Sequence, residues 1–216
     1  LEAAEEDIEL EDGKAFVRGV PEMSKTLGEI AHAVAGSPGF AMPPGFEPGL
    51  EATHYFSPSQ SAYCNGTHIA EVEVDIETGH VEILRYVIAH DSGNLINPMI
   101  VDGQVIGGTA HGIGNALFEW MGYDESAQPI TTNFAEYLLV SAPEMPHIEL
   151  GHMESPTPLN PLGVKGVGEC GVVPAPAAII SAVENALSPF GVHIDQVPLR
   201  PPEIVEKIQK AKALAS

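Results

Sequence analysis

The sequence predicts an α+β fold, and three observations carry that prediction. Two alternating apolar–polar runs between Thr67 and Asp91 meet at a turn over Glu77–Gly79, the pattern of a β-hairpin. A long segment from Met99 to Trp120 repeats its apolar residues at helical spacing. A second helical pattern, AAIISAVENAL, follows a glycine-rich loop, with Ile179, Ile180, Val183 and Leu187 in register and Pro174 and Pro176 at its start.

Taken in order, LEAAEEDIELEDG reads as the end of a helix running into a short strand at Ile8–Leu10, with a turn at Asp12–Gly13. A strand is expected at Ala15–Gly19, then a helix over SKTLGEIAHAVA capped by Ser24 or Thr26, with Leu27, Ile30, Ala31 and Val34 on one face. The chain opens at Leu1 without a helix cap, so a piece of a longer polypeptide, a processed product or one part of a split subunit is expected. Residues 36–49 are punctuated by Pro and Gly and read as a long loop. This divides the chain into an N-terminal segment, 1–50, and a main domain, 51–216.

Within the hairpin, His68, Ala70, Val72 and Val74 share one face, while Glu71, Glu73 and Asp75 take the other. His68 therefore points with the apolar side, where a histidine is more often a satisfied core residue than a ligand. In the long helix, Ile106, Ala110, Ile113 and Leu117 form an apolar stripe. A second stripe runs through Gln104, Gly108, His111 and Asn115. Gly103, Gly107, Gly108, Gly112 and Gly114 each cost the helix roughly 0.5–1 kcal/mol relative to Ala. So many glycines call for a close neighbour, either a ligand or a tightly packed element. HIELGH alternates as a strand does and lacks the spacing of a zinc motif. Beyond Gly191 come Pro198, Pro201 and Pro202, then a final helix, PEIVEKIQKAKALA.

Composition narrows the function. Hydrophobic residues at 44% are enough for a folded core. A net charge of −21 repels phosphate backbones and acidic lipid, which argues against nucleic acid and membrane surfaces as partners. No apolar run reaches the roughly 18 residues of a membrane span, and no signal peptide is visible. Cys64 and Cys170 form no CxxC and cannot make a zinc site by themselves, and so few cysteines suit a cytoplasmic location.

The most informative stretch is Pro161–Gly171, PLGVKGVGECG, in which four glycines surround Lys165, Glu169 and Cys170. A carboxylate on a glycine loop ahead of a helix is a place for chemistry, or else a solvated turn.

Together, GTHIAEVEVDIETGHVEILRYVIAHDSGNLINPMIVDGQVIGGTAHGIGNALFEWMGYD, ESPTPLNPLGVKGVGECG and PLRPPEIVEKI resemble the molybdenum-cofactor-binding large subunit of the xanthine oxidase family. The likeness is strongest to its aerobic carbon-monoxide-dehydrogenase-like branch. The segments follow the family's order to its usual C-terminus, so the resemblance implies the C-terminal portion of the cofactor-binding region. It implies a molybdenum hydroxylase that inserts water-derived oxygen at an electrophilic carbon of an N-heterocycle, an aldehyde or carbon monoxide. Glu169 matches the glutamate that acts as general base on the Mo–OH group. Gly66, Thr67 and His68, the face from Gln104 through Gly108 to His111, and Lys165, Gly166, Val167 and Gly168 match segments that contact the cofactor. No side chain is expected to ligate the metal. The implied cofactor is molybdopterin or its cytosine dinucleotide. A [2Fe–2S] cluster and FAD are expected on partner subunits, beside an upstream chain that completes the cradle. His111 stands where relatives carry glutamine, and Cys170 where proline or alanine is usual. A non-catalytic structural or assembly paralogue is the alternative.

Overall fold

The computed structural model describes residues 1–36, 42, 45 and 48–214; the expected loop at 36–49 lies largely outside them. The chain divides into two compact units, Leu1–Ser57 and Pro58–Ser216.

The first unit is an antiparallel meander of β1 (Ile8–Glu11), β2 (Lys14–Val17) and β3 (Val20–Thr26), followed by α1 (Leu27–Ala33). Its opening differs from the expected helix end: Glu5–Asp7 forms a single 3-10 turn. Asp12 and Gly13, both at positive φ, make the tight β1–β2 turn that Asp-Gly favours. The helix expected from Ser24 starts at Leu27, because Ser24, Lys25 and Thr26 pair with Phe16, Ala15 and Lys14. A strand carrying Pro21 near its start suits this edge position. Thr26 caps α1: its hydroxyl accepts from Glu29 N at 3.1 Å, and the Glu29 carboxylate accepts from Thr26 N at 2.8 Å.

The second unit is built on a sheet of order β4-β5-β6. β4 (Asn65–Val74) and β5 (Val81–Asp91) are antiparallel, and β6 (Ile148–Met153) runs parallel to β5. The hairpin turn is held by the Asp75 carboxylate, which accepts from the backbone N–H of Glu77 and Thr78. Gly79 has φ +76° and faces the Pro201 carbonyl, 2.1 Å from where a Cβ would sit, so no other residue fits there. The register passes from Glu71↔Arg85 to Val72↔Ile83, leaving Leu84 unopposed. This bulge changes the phase of β5, and its buried residues become Tyr86, Ile88 and His90.

Asn97 caps α2 (Pro98–Leu117), and Pro98 occupies its first turn. The helix buries Val101, Val105, Thr109, Ile113, Ala116 and Leu117. Of the expected stripe, Ile113 and Leu117 are in the core, whereas Ile106 is 40% exposed. Period alone could not choose between neighbouring faces, because both carry apolar residues. α3 (Ala175–Ala186) packs against β4 and α2 and buries Ile179 and Val183 as its spacing predicts. α4 (Pro201–Leu214) closes the chain with Ile204 and Ile208 in the same core. No helix among the described residues is long and apolar enough to cross a membrane.

Candidate active site

The glycine-rich loop at 161–171 is clamped on two sides. Lys165 N donates to Ser92 O at 2.8 Å, just past β5, and Gly166 N donates to Ala62 O at 2.9 Å, just before β4. The Lys165 ammonium donates to Asp91 Oδ2 at 2.9 Å and to Ser155 Oγ at 2.8 Å. Asp91 also accepts from Gly93 N at 2.9 Å, from Ser155 N at 3.2 Å and from the Ser155 hydroxyl. The Ser155 hydroxyl, followed by Lys165 and the two backbone N–H groups, outweighs burial and holds the Asp91 carboxyl well below the usual carboxylate range. Lys165 thus faces the strand end and ties the loop to it.

Beyond the clamp the loop borders a hollow of about 670 Å³, lined among others by Tyr63, Cys64, His90, Gly168, Glu169 and Cys170. Glu169 is exposed, and its carboxylate joins no hydrogen bond or ion pair among the described residues. A Cβ on Gly168 would meet nothing within 4 Å, so the space next to Glu169 is open. Gly66 and Gly166 also line the hollow, whereas Thr67, His68, Lys165 and Val167 do not. Val167 is half-buried against the core, and its carbonyl accepts from the Cys170 thiol at 2.8 Å.

His68 turns inward with Ala70, Val72 and Val74, as the alternation predicts. Its Nδ1 lies 3.0 Å from the Tyr86 hydroxyl, while its Nε2 is buried without a partner among the described residues. Burial, helped by the nearby His90, pushes His68 down to about 4, so the ring is neutral near pH 7. His90 is also pushed down, by burial first and then by His152, against the opposing pull of Asp91.

The polar stripe of α2 divides in two. Gln104 and His111 are exposed, and Cβ atoms on the neighbouring Gly103 and Gly107 would meet nothing within 4 Å. A Cβ on Gly108 would instead come within 3.0 Å of the backbone of Gly171 and Val172, and a Cβ on Gly171 would come within 2.2 Å of Val105 O. The close neighbour of Gly108 within the chain is therefore its own loop. Neither Gln104 nor His111 borders the hollow; His111 lines a shallower depression with Glu119 and Val140.

Sequence reasoning did not single out Cys64, His90, Asp91 or Ser155 as parts of this site. Asp91 and Lys165 are joined only by the fold, so no local spacing betrays the pair. The phase of His90 is hidden by the bulge at Leu84.

Residues 1–146 match the family described as the molybdopterin cofactor-binding domain. The chain is similar to the nicotine 6-hydroxylase large subunit of Paenarthrobacter nicotinovorans, with 42% identity over 95% of this chain and 25% of that protein. It is also similar to the carbon monoxide dehydrogenase large chain of Afipia carboxidovorans, with 35% identity over 92% of this chain and 24% of the relative. Among solved structures, quinoline 2-oxidoreductase from Pseudomonas putida 86 superposes with a TM-score of 0.86 at 41% identity, covering 97% of this chain and 26% of that one. The chain thus spans about a quarter of the length of these relatives.

Proposed function

Because this chain belongs to the molybdopterin cofactor-binding family of molybdenum hydroxylase large subunits, we propose that it forms one wall of the cofactor site and supplies Glu169 as the base of a hydroxylation. The observation that carries this reading is an exposed, unpartnered carboxylate on a clamped loop, at the edge of a hollow of about 670 Å³. The residues fit the group: Gly168 leaves open space beside Glu169, and the hollow falls within the roughly 300–1,000 Å³ of small-molecule sites.

When bound, the molybdenum cofactor supplies the oxygen to be transferred and takes up the substrate's electrons. Glu169 accepts the proton released from that oxygen, at a carboxylate oxygen facing the hollow. Asp91, Lys165 and Ser155 hold the loop so that the carboxylate stays in place. Gly168 admits the cofactor closely along the hollow, which Gly66 and Gly166 also line, and Gln104 and His111 offer hydrogen-bonding groups on the open face of α2. An N-heteroaromatic compound is the substrate class, supported by the nicotine and quinoline enzymes at about 40% identity. The rest of the cofactor cradle comes from a longer or separate chain. Iron–sulfur and flavin subunits carry electrons away, a reading supported by relatives named as a large subunit and as subunit gamma of a dehydrogenase complex.

Molybdenum and pterin analysis of the native complex tests this reading. Stoichiometric molybdenum, with oxidation of an N-heteroaromatic compound, is the expected result. A complex that folds and assembles without molybdenum would mark the chain as a structural paralogue.

A further inference from the structure

The hollow contains a second cluster that the hydroxylation does not use. The Sγ atoms of Cys64 and Cys170 and a ring nitrogen of His90 all lie within 4.8 Å of one another. The three residues come from separate stretches: the segment leading into β4, the end of β5 and the glycine-rich loop. His90 is 2% exposed, and both its ring nitrogens are buried without a hydrogen-bond partner among the described residues. Burying a polar ring unpaired costs free energy that proteins ordinarily avoid, so the imidazole is a donor set waiting for an acceptor. That acceptor sits where two sulfur atoms also converge.

We propose that Cys64, His90 and Cys170 form a three-ligand site for a zinc-class divalent cation, with its fourth position open to the hollow. Two thiolates and one neutral imidazole suit a thiophilic metal, and three protein ligands with an open position are the arrangement of reactive zinc centres. Binding forms two metal–sulfur bonds and one metal–nitrogen bond, releases one proton from each thiol to solvent, and moves no electrons. Two thiolates with a divalent ion leave no net charge, which a mostly buried site tolerates; monovalent copper would leave one negative charge uncompensated. Without metal the Cys170 thiol donates to the Val167 carbonyl, and each thiol must lose its proton to act as a ligand. Zinc affinity therefore rises with pH. The third donor is remote in sequence from either cysteine, which is why no CxxC spacing reveals the site. The inference stands on this triad and does not depend on what else fills the hollow.

The test uses the native complex, stripped with a chelator and returned to one equivalent of zinc chloride. One zinc per chain should be retained, with two protons released per zinc. X-ray absorption should show two sulfurs near ~2.3 Å and nitrogen near ~2.0–2.1 Å. Loss of outer partners alone weakens metal sites by roughly 10–100-fold, so Cys64→Ser and His90→Phe should each weaken retention by more than ~100-fold. Proton release and absorption on the wild-type protein keep the test decisive should a variant fail to fold. No zinc retained, a shell lacking both sulfurs, or a Cys64–Cys170 disulfide in the native protein would overturn the proposal. Molybdenum measured in the same samples separates the two readings, because its absence would count only against the hydroxylase.

Discussion

The Lys165 ammonium lies 2.9 Å from Asp91 Oδ2, and the two side chains are only 12% and 8% exposed. This pair ties the loop bearing Glu169 to the end of β5. Removing one partner leaves a nearly buried charge uncompensated, which typically destabilises by about 3–5 kcal/mol. Lys165→Met is expected near the lower figure, because Ser155 and Gly93 still donate to Asp91. Denaturant unfolding checks this, together with the same substitution in an Asp91→Asn background, where it should do much less. Equal losses in both backgrounds would show that the two groups are not coupled.

The hydrogen bonds that Asp91 accepts, from the Ser155 hydroxyl first and then from Lys165, set an acid limit. The Asp91 carboxyl is depressed in the folded state, so its stabilisation is present above its unfolded value and lost as pH falls toward the folded one. With an unfolded value near ~3.9, the loss begins below about pH 5 and deepens toward pH 2. Asp91→Asn should be less stable at neutral pH and show a flatter profile across that window. Parallel profiles for variant and wild type would refute the assignment.

Two adjacent glycines on α2 should behave oppositely. Gly107 faces open space, so Gly107→Ala should stabilise the chain by about 0.5–1 kcal/mol through helix propensity. Gly108→Leu would drive a side chain into the backbone of Gly171 and Val172 and should break the fold. In the native complex, Gly107→Leu should lower pterin content without unfolding the chain, because it fills the open face between Gln104 and His111. Full pterin content in that variant would leave this face without a cofactor role.

Much of the second unit was legible in the sequence. The alternation from Thr67 to Asp91 gave the hairpin and the inward turn of His68, and the spacing of Ile179, Val183 and Leu187 gave the core face of α3. What escaped was set by tertiary contact. β3 is a polar edge strand that only its pairing with β2 defines, and the buried face of α2 is Val105 and Thr109 rather than Ile106. At the site, Glu169 stood out because a carboxylate among glycines is unusual. Lys165 was noticed, but its partner Asp91 was not, since nothing local links a strand end to a loop that follows two more elements. Cys64 and His90 were hidden in the same way: their convergence exists only once the sheet and the loop have come together.

The proposed role of Glu169 as the base is tested by the turnover of Glu169→Gln in the native complex. Glutamine keeps the size and hydrogen bonding of the side chain but cannot take the proton. The turnover number should fall by at least roughly 100-fold, the usual scale for a general base, while molybdenum and pterin content are unchanged. Near-wild-type turnover in a fully loaded Glu169→Gln complex would contradict it.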